Sequence, residues 1–208
     1  YLGSHFSDNE IGKRLEKEGA KFFKFDDPNE MVEDCAKEIS KGKAIGWFQG
    51  RMEFGPRALG SRSILADPRL ETMQKTLNLK VKFRESFRPF APSVLLEDAN
   101  KYFELTAESP YMLLVSHVNN SLRIKPQKHD DLFGIEKLNI KRSAIPAVTH
   151  VDYSARVQTV SNKNNPLYHS LLESFKTLTN CSVLINTSFN VRGEPIVESP
   201  EDAFRCFM

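Results

Sequence analysis

The stretch AIGWFQGRMEFGPRALGSRSILADP, residues 44–68, decides how this chain is read. Two β-type runs, AIGWF (44–48) and RSILA (62–66), flank a segment with glycines at 50, 55 and 60 and a proline at 56. That segment is too broken for a helix and too charged for core, so the spacing predicts strand, loop, strand. Glycines there let the backbone take positive φ and approach a ligand closely. Arg51, Arg57 and Arg62 face a lone carboxylate, Glu53. A planar guanidinium holds two oxygens of a phosphate or carboxylate at once, which makes the loop a candidate anion binder. The alternative is a solvated turn whose arginines pair with neighbouring acids.

Working outward, helix starts are legible because a capping residue followed by proline recurs at Asp27-Pro28, Asp67-Pro68, Asn165-Pro166 and Ser199-Pro200. Met31, Cys35 and Ile39 share one face after Asp27. Leu70, Met73 and Leu77 repeat that spacing after Asp67, and Leu167, Leu171, Phe175 and Leu178 after Asn165. Ser7 with Glu10 predicts a shorter helix ending near Gly19. Further β-type runs lie at 91–96, 111–118, 147–151, 156–160 and 182–186. Strands and helices alternate imperfectly, which predicts an α/β fold with a mixed sheet flanked by helices. The polar stretch 119–143 reads as a long mobile insertion.

Bulk properties exclude several classes. The 208 residues are 40% apolar, enough for one substantial core. Lys and Arg total 29 against 27 acids, a net +2, so the whole chain is no polyelectrolyte binder. The charge is local: nine basic and four acidic residues fall between Arg51 and Pro92. Three cysteines without CxxC spacing argue against a disulfide framework or a zinc site, and a reducing, cytoplasmic setting is expected. No apolar run approaches the ~20 residues of a membrane span. The start at Tyr1 and the stop inside ESPEDAFRCFM suggest a piece of a larger protein. Residues 1–26 then form a linker and helix following another domain, and 27–208 form a domain truncated at its C-terminus.

Three more segments carry chemistry. KVKFRESFRPFAP (80–92) alternates Lys80, Lys82 and Arg84 with Val81 and Phe83, predicting an extended segment with one basic face, Arg88 following. The same pattern fits the wet side of an edge strand. THVDYSARVQTV (149–160) puts His150, Asp152 and Arg156 around a turn. A lone histidine such as His150 is commonly a hydrogen-bonded structural residue, and Arg156 is the better ligand. LINTSFNVRGEPIV (184–197) places Asn186, Thr187, Ser188 and Asn190 just past a strand, suited to phosphate oxygens or to ordinary turn chemistry. GxxxxGK[ST], strand-GxGxxG, HExxH and GxSxG are all absent, so a nucleotide would be held by arginines and amides.

These four motifs, in this order, resemble the C-terminal domain of the O-carbamoyltransferases of nodulation and antibiotic tailoring. The resemblance implies a YrdC-like fold, a twisted sheet with flanking helices and a basic concave face. It implies that ATP, with magnesium on its triphosphate, and carbamoyl phosphate form carbamoyladenylate. A preceding Kae1-like domain would pass the carbamoyl group to a hydroxyl-bearing acceptor, using iron. Carried over by motif position, Arg57, Lys82, Arg84 and Arg88 are the catalytic anion-binding group. Arg51, Glu53, Arg62, His150, Arg156, Asn186, Thr187, Ser188 and Asn190 are expected to bind substrate or nucleotide. Two rivals stand beside this: a threonylcarbamoyladenylate-type synthase on the same fold, and a non-catalytic RNA or single-strand module stacking bases on Phe83, Phe87 and Phe90.

Overall fold

A computed structural model describes residues 1–124, 138 and 140–208. Its frame is a six-stranded mixed sheet in the order β1-β2-β6-β3-β5-β4. The strands are β1 (Ile45–Phe48), β2 (Arg62–Ala66), β3 (Ala91–Leu95), β4 (Leu114–His117), β5 (Ser154–Val160) and β6 (Val183–Ser188). Among the described residues only the β3–β5 pair is parallel, and the other four pairs are antiparallel. The α/β class and the mixed sheet are as the sequence predicts.

Two long helices cover the sheet. In α2 (Pro28–Ser40) Asp27 caps the start by accepting from Asn29 N–H, and Val32, Ala36 and Ile39 are buried. In α5 (Pro166–Thr179) Asn165 accepts from Tyr168 N–H, and Tyr168, Leu171, Leu172 and Phe175 are buried. The two pack on each other, α5 also touching β3 and β6 and α2 touching β1. This buried apolar seam, with Leu65, Val94, Val183 and Ile185 from the strands, is the main source of stability. The short α1 (Asp8–Lys17) carries the expected Ser7–Glu10 capping box and lies against α6 (Pro200–Phe207). Residues 1–26 join the fold through that contact and through pairing of Gly3 with Met52.

Three local expectations are corrected. Asp67 caps no helix: its buried carboxylate is taken by Arg69, at 2.6 Å from Nη2 and 2.8 Å from the backbone N–H. The helix α3 (Met73–Thr76) starts later and runs into a π turn, Leu77–Val81. Residues 147–151 form no strand; Pro146 lacks an N–H for a ladder and opens a 3₁₀ turn, Pro146–Val148, whose Ala147 and Val148 are buried. Between Ala99–Tyr102 (α4) and β4 the chain is irregular, so the run predicted from 111 shortens to Leu114–His117. The ends of the predicted 119–143 insertion are pinned by an Arg123–Ser143 bridge. Its centre, 125–137 and 139, lies outside the described residues.

Candidate functional site

The loop between β1 and β2 is built around its one carboxylate. Glu53 is buried, and its Oε1 accepts backbone N–H groups from Leu59 (2.7 Å), Ser61 (2.7 Å) and Arg62 (3.3 Å). Through that oxygen it holds the loop's shape, while Oε2 is buried without a partner among the described residues. Arg62, expected to bind substrate or nucleotide, turns its donors to the backbone. Fully buried, it donates from Nη1 to the carbonyls of Gln49 (2.9 Å), Ser61 (2.9 Å) and Gly50 (3.3 Å). Nη2 reaches Ser4 O and Nε reaches Glu198 O, each at 3.4 Å, and the guanidinium lies 3.5 Å over the Phe48 ring. Burial pushes its pKa down to about 10, with Glu53 and Glu198 pulling the other way. Gly60, at φ +97°, is required because a Cβ there would sit 2.3 Å from the Tyr168 ring.

The other two arginines of the loop are exposed. Arg51 donates to Gly3 O at 3.1 Å, and Arg57 is near enough to Arg156 for its charge to be felt there. Burial and then the Arg57 charge push the Arg156 pKa down, and no carboxylate pairs with either arginine among the described residues. Arg156 sits opposite Val115 on β5, on the same face as Gln158, with its Nε buried and without a partner.

The 80–88 segment differs most from the pattern read in the sequence. Helical backbone continues through Lys82, and Phe83 takes φ +45°, so Lys80, Lys82 and Arg84 do not line one face of a strand. Lys82 turns inward and is buried. Its ammonium donates to Ser188 O, Ser188 Oγ (3.3 Å), Asn190 O (2.9 Å) and Asn190 Oδ1 (2.8 Å). Burial, then the like charge of Arg84, lowers its pKa to about 8. Arg84 donates through Nε to Asn78 Oδ1 at 2.6 Å and lies 5.0 Å over Phe90. The Asn78 amide in turn holds the carbonyls of Ser86 and Arg88. Phe90 is buried and offers no face for a base to stack on, whereas Phe83 and Phe87 are exposed.

Lys82, Arg84, Arg88, Thr187, Ser188, Asn190 and Arg192 thus line one pocket of about 360 Å³, with Glu85 its single acid. Glu85 is 3.8 Å from Arg88. A cavity of about 1200 Å³ shares Ser188 and Asn190 with it, adding Met52, Phe83 and Cys206. Four cations against one acid give the smaller pocket a net positive charge, with Lys82 bonded to Ser188 and Asn190 and Arg192 Nη1 donating to Phe83 O at 3.2 Å.

Arg51, Arg57, His150, Arg156 and Asn186, all expected at the site, line neither of these two cavities. Asn186 is buried, donating to Ser93 Oγ (3.1 Å) and Gln158 Oε1 (2.8 Å), and Gln158 reaches back to Leu59 O at 2.8 Å. This network fastens the loop to the sheet through the Asn186 amide nitrogen, while Asn186 Oδ1 is buried without a partner among the described residues. His150 is exposed and lines a separate cavity of about 450 Å³ with Phe87, Lys75 and Lys141, away from Lys82. Surrounding protein and Arg156 lower its pKa against the pull of Asp152. Arg51, on Gly3, lines none of these three cavities. Sequence reasoning missed Arg192 and Asn78. Arg192 lies two residues past Asn190, a signal that was present; Asn78 sits inside a helical pattern and gave none.

One side-chain group could be arranged around a metal among the described residues: Glu97, His169 and Glu173. The imidazole lies between the carboxylates, Nε2 at 2.9 Å from Glu97 and Nδ1 at 3.6 Å from Glu173, so one ion could not take both edges of the ring. No helix among the described residues is long and apolar enough to cross a membrane.

Fold and pocket together define an α/β domain with a basic pocket beside the end of β6. The comparisons make this specific: the chain belongs to the family described as carbamoyltransferase C-terminus, whose model matches residues 36–208. It is 56% identical, over its full length, to the uncharacterized protein sll1178 of Synechocystis, covering 34% of that protein. It is 44% identical to nodulation protein NolO of Bradyrhizobium diazoefficiens, over 86% of this chain and 30% of the relative. The figure is 38% for the 3′-hydroxymethylcephem-O-carbamoyltransferase of Amycolatopsis lactamdurans, over 82% and 28%. The chain therefore spans about a third of the length of these relatives. Among solved structures, full-length HypF in its phosphate- and nucleotide-bound form matches 90% of this chain and 20% of its own, with TM-score 0.52 and 18% identity, a likeness of fold.

Proposed function

We propose that this chain is the carbamoyl-activating part of an O-carbamoyltransferase, forming carbamoyladenylate from carbamoyl phosphate and ATP. The observation that carries the reading is the convergence of Lys82, Arg84, Arg88 and Arg192 with Thr187, Ser188 and Asn190 on one pocket. Family membership, the cephem carbamoyltransferase relative and the nucleotide-bound HypF neighbour support it.

In this reading the four cations match a triphosphate, and the Arg57–Arg156 pair matches the dianion of carbamoyl phosphate. Water cleaves carbamoyl phosphate to carbamate and phosphate; a carbamate oxygen then attacks the α-phosphorus and pyrophosphate leaves. Fixed guanidinium groups offset the repulsion between anions that must approach each other, the main lever in such transfers. Among the described residues Glu85 is the one acid lining this pocket, 3.8 Å from Arg88, so in this reading magnesium would arrive as part of the nucleotide. The hydroxyl-bearing acceptor, and the iron expected with it, belong in this reading to the two thirds of the relatives' length outside this chain. The proposed setting is cytoplasmic.

Pyrophosphate release from ATP and radiolabelled carbamoyl phosphate tests the proposal; release only with threonine and bicarbonate would replace the substrate. Arg57→Lys keeps the charge but loses the two-point grip, so calorimetry should show carbamoyl phosphate binding weakened about tenfold with the fold intact. Unchanged affinity would remove Arg57 from the site.

A further inference from the structure

Five contacts tie residues 1–4 to the arginine loop. Gly3 N–H donates to Met52 O at 3.0 Å and Met52 N–H donates to Ser4 O at 2.9 Å, a two-way backbone clasp. Arg51 Nη1 reaches Gly3 O at 3.1 Å, Arg62 Nη2 reaches Ser4 O at 3.4 Å, and the Tyr1 hydroxyl donates to Leu59 O at 3.0 Å. Asn165, the cap of α5, fixes that hydroxyl by donating to it at 3.4 Å. Gly3 is required for the close approach, since a Cβ there would meet Met52 Cβ at 2.8 Å and Met52 O at 2.9 Å.

The loop needs such help. Gly50 and Gly55 take positive φ with nothing within 4 Å of the Cβ position, and Phe54 is 84% exposed. No core packing holds residues 50–57, and a glycine-rich loop left to itself samples many conformations. Its fixed points are the Glu53 carboxylate inside and the clasp outside.

We propose that Tyr1, Gly3 and Ser4 are positioning residues: the segment 1–4 is a strap that sets the arginine loop and so aims Arg57 at its anion beside Arg156. That the anion is carbamoyl phosphate rests on the function proposed above; the strap itself does not.

The test compares the 208-residue chain with a version lacking residues 1–6, which keeps the Ser7 cap, and with Tyr1→Phe and Gly3→Val in the full chain. Amide hydrogen exchange at Leu59, Ser61 and Arg62 reads the loop without any ligand, and calorimetry with carbamoyl phosphate reads the site. Loss of the strap should speed exchange there about tenfold, leave β3 and α5 protected, and weaken binding by a similar factor. Adding the peptide YLGSHF should restore both saturably. Should the shortened chain fail to fold, the two point variants decide by the same exchange readout. Unchanged exchange in the loop overturns the strap, as does a uniform rise across the core that the peptide does not reverse. A wild-type chain that binds no carbamoyl phosphate would sink the proposed function, while the exchange result would still decide the strap.

Discussion

Replacing Arg62 by methionine separates a ligand arginine from a structural one. Methionine keeps much of the volume and removes five donors and a charge. Of the carbonyls it would abandon, Ser4 O still accepts from Met52 N–H and Ser61 O from Gln49 N–H, so neither is orphaned. Gly50 and Glu198 are exposed residues that water can serve. Gln49 O keeps no other partner shown, a loss of about 1–3 kcal/mol. Net loss of the other hydrogen bonds adds about 1 kcal/mol or more, and the ring contact with Phe48 about 1 kcal/mol. Against this stands relief of the burial that already lowers the Arg62 pKa to about 10. A net destabilisation of about 3 kcal/mol should lower Tm by roughly 6–12 °C for a chain this size. The assay is urea and thermal unfolding of both proteins, with carbamoyl phosphate and ATP affinity measured at a temperature where both are folded. A variant as stable as the wild type but unable to bind anions would refute the reasoning and return Arg62 to the site.

Two further outcomes follow from the same geometry. Lys82, with a folded pKa of about 8 against an ordinary 10.5, loses its proton in the folded state first. Nucleotide affinity should therefore fall as pH rises through 8 and lose that limb in Lys82→Met. Between pH 8 and 10.5 the unfolded chain binds more protons, so Lys82 makes stability rise with pH; a flat affinity profile from pH 7 to 9.5 would contradict the assignment. Gly60→Ala, at φ +97° and 2.3 Å from the Tyr168 ring, should cost about 2 kcal/mol or more in urea unfolding, and an unchanged midpoint would show that the ring moves aside.

The sequence by itself determined the mixed α/β class and most element types, because caps, periodicity and turn residues are local signals; it misread 147–151, the 80–84 run and the Asp67 cap, where tertiary contacts decide. Lys82, Arg84 and Arg88 were legible as a basic group, and Ser188 and Asn190 as loop polar groups, from composition alone. Their meeting was not legible, since residues 82 and 190 are brought together by the helical turn at 77–82 and the end of β6. Nor could a charge count tell Arg57 from Arg62: the two are five residues apart, one exposed, the other at zero exposure donating to five carbonyls. Whether a guanidinium serves a ligand or the backbone depends on which side of the loop faces the sheet. That is set by long-range packing against Phe48, Tyr168 and the strap at residues 1–4, so only the tertiary structure decided it.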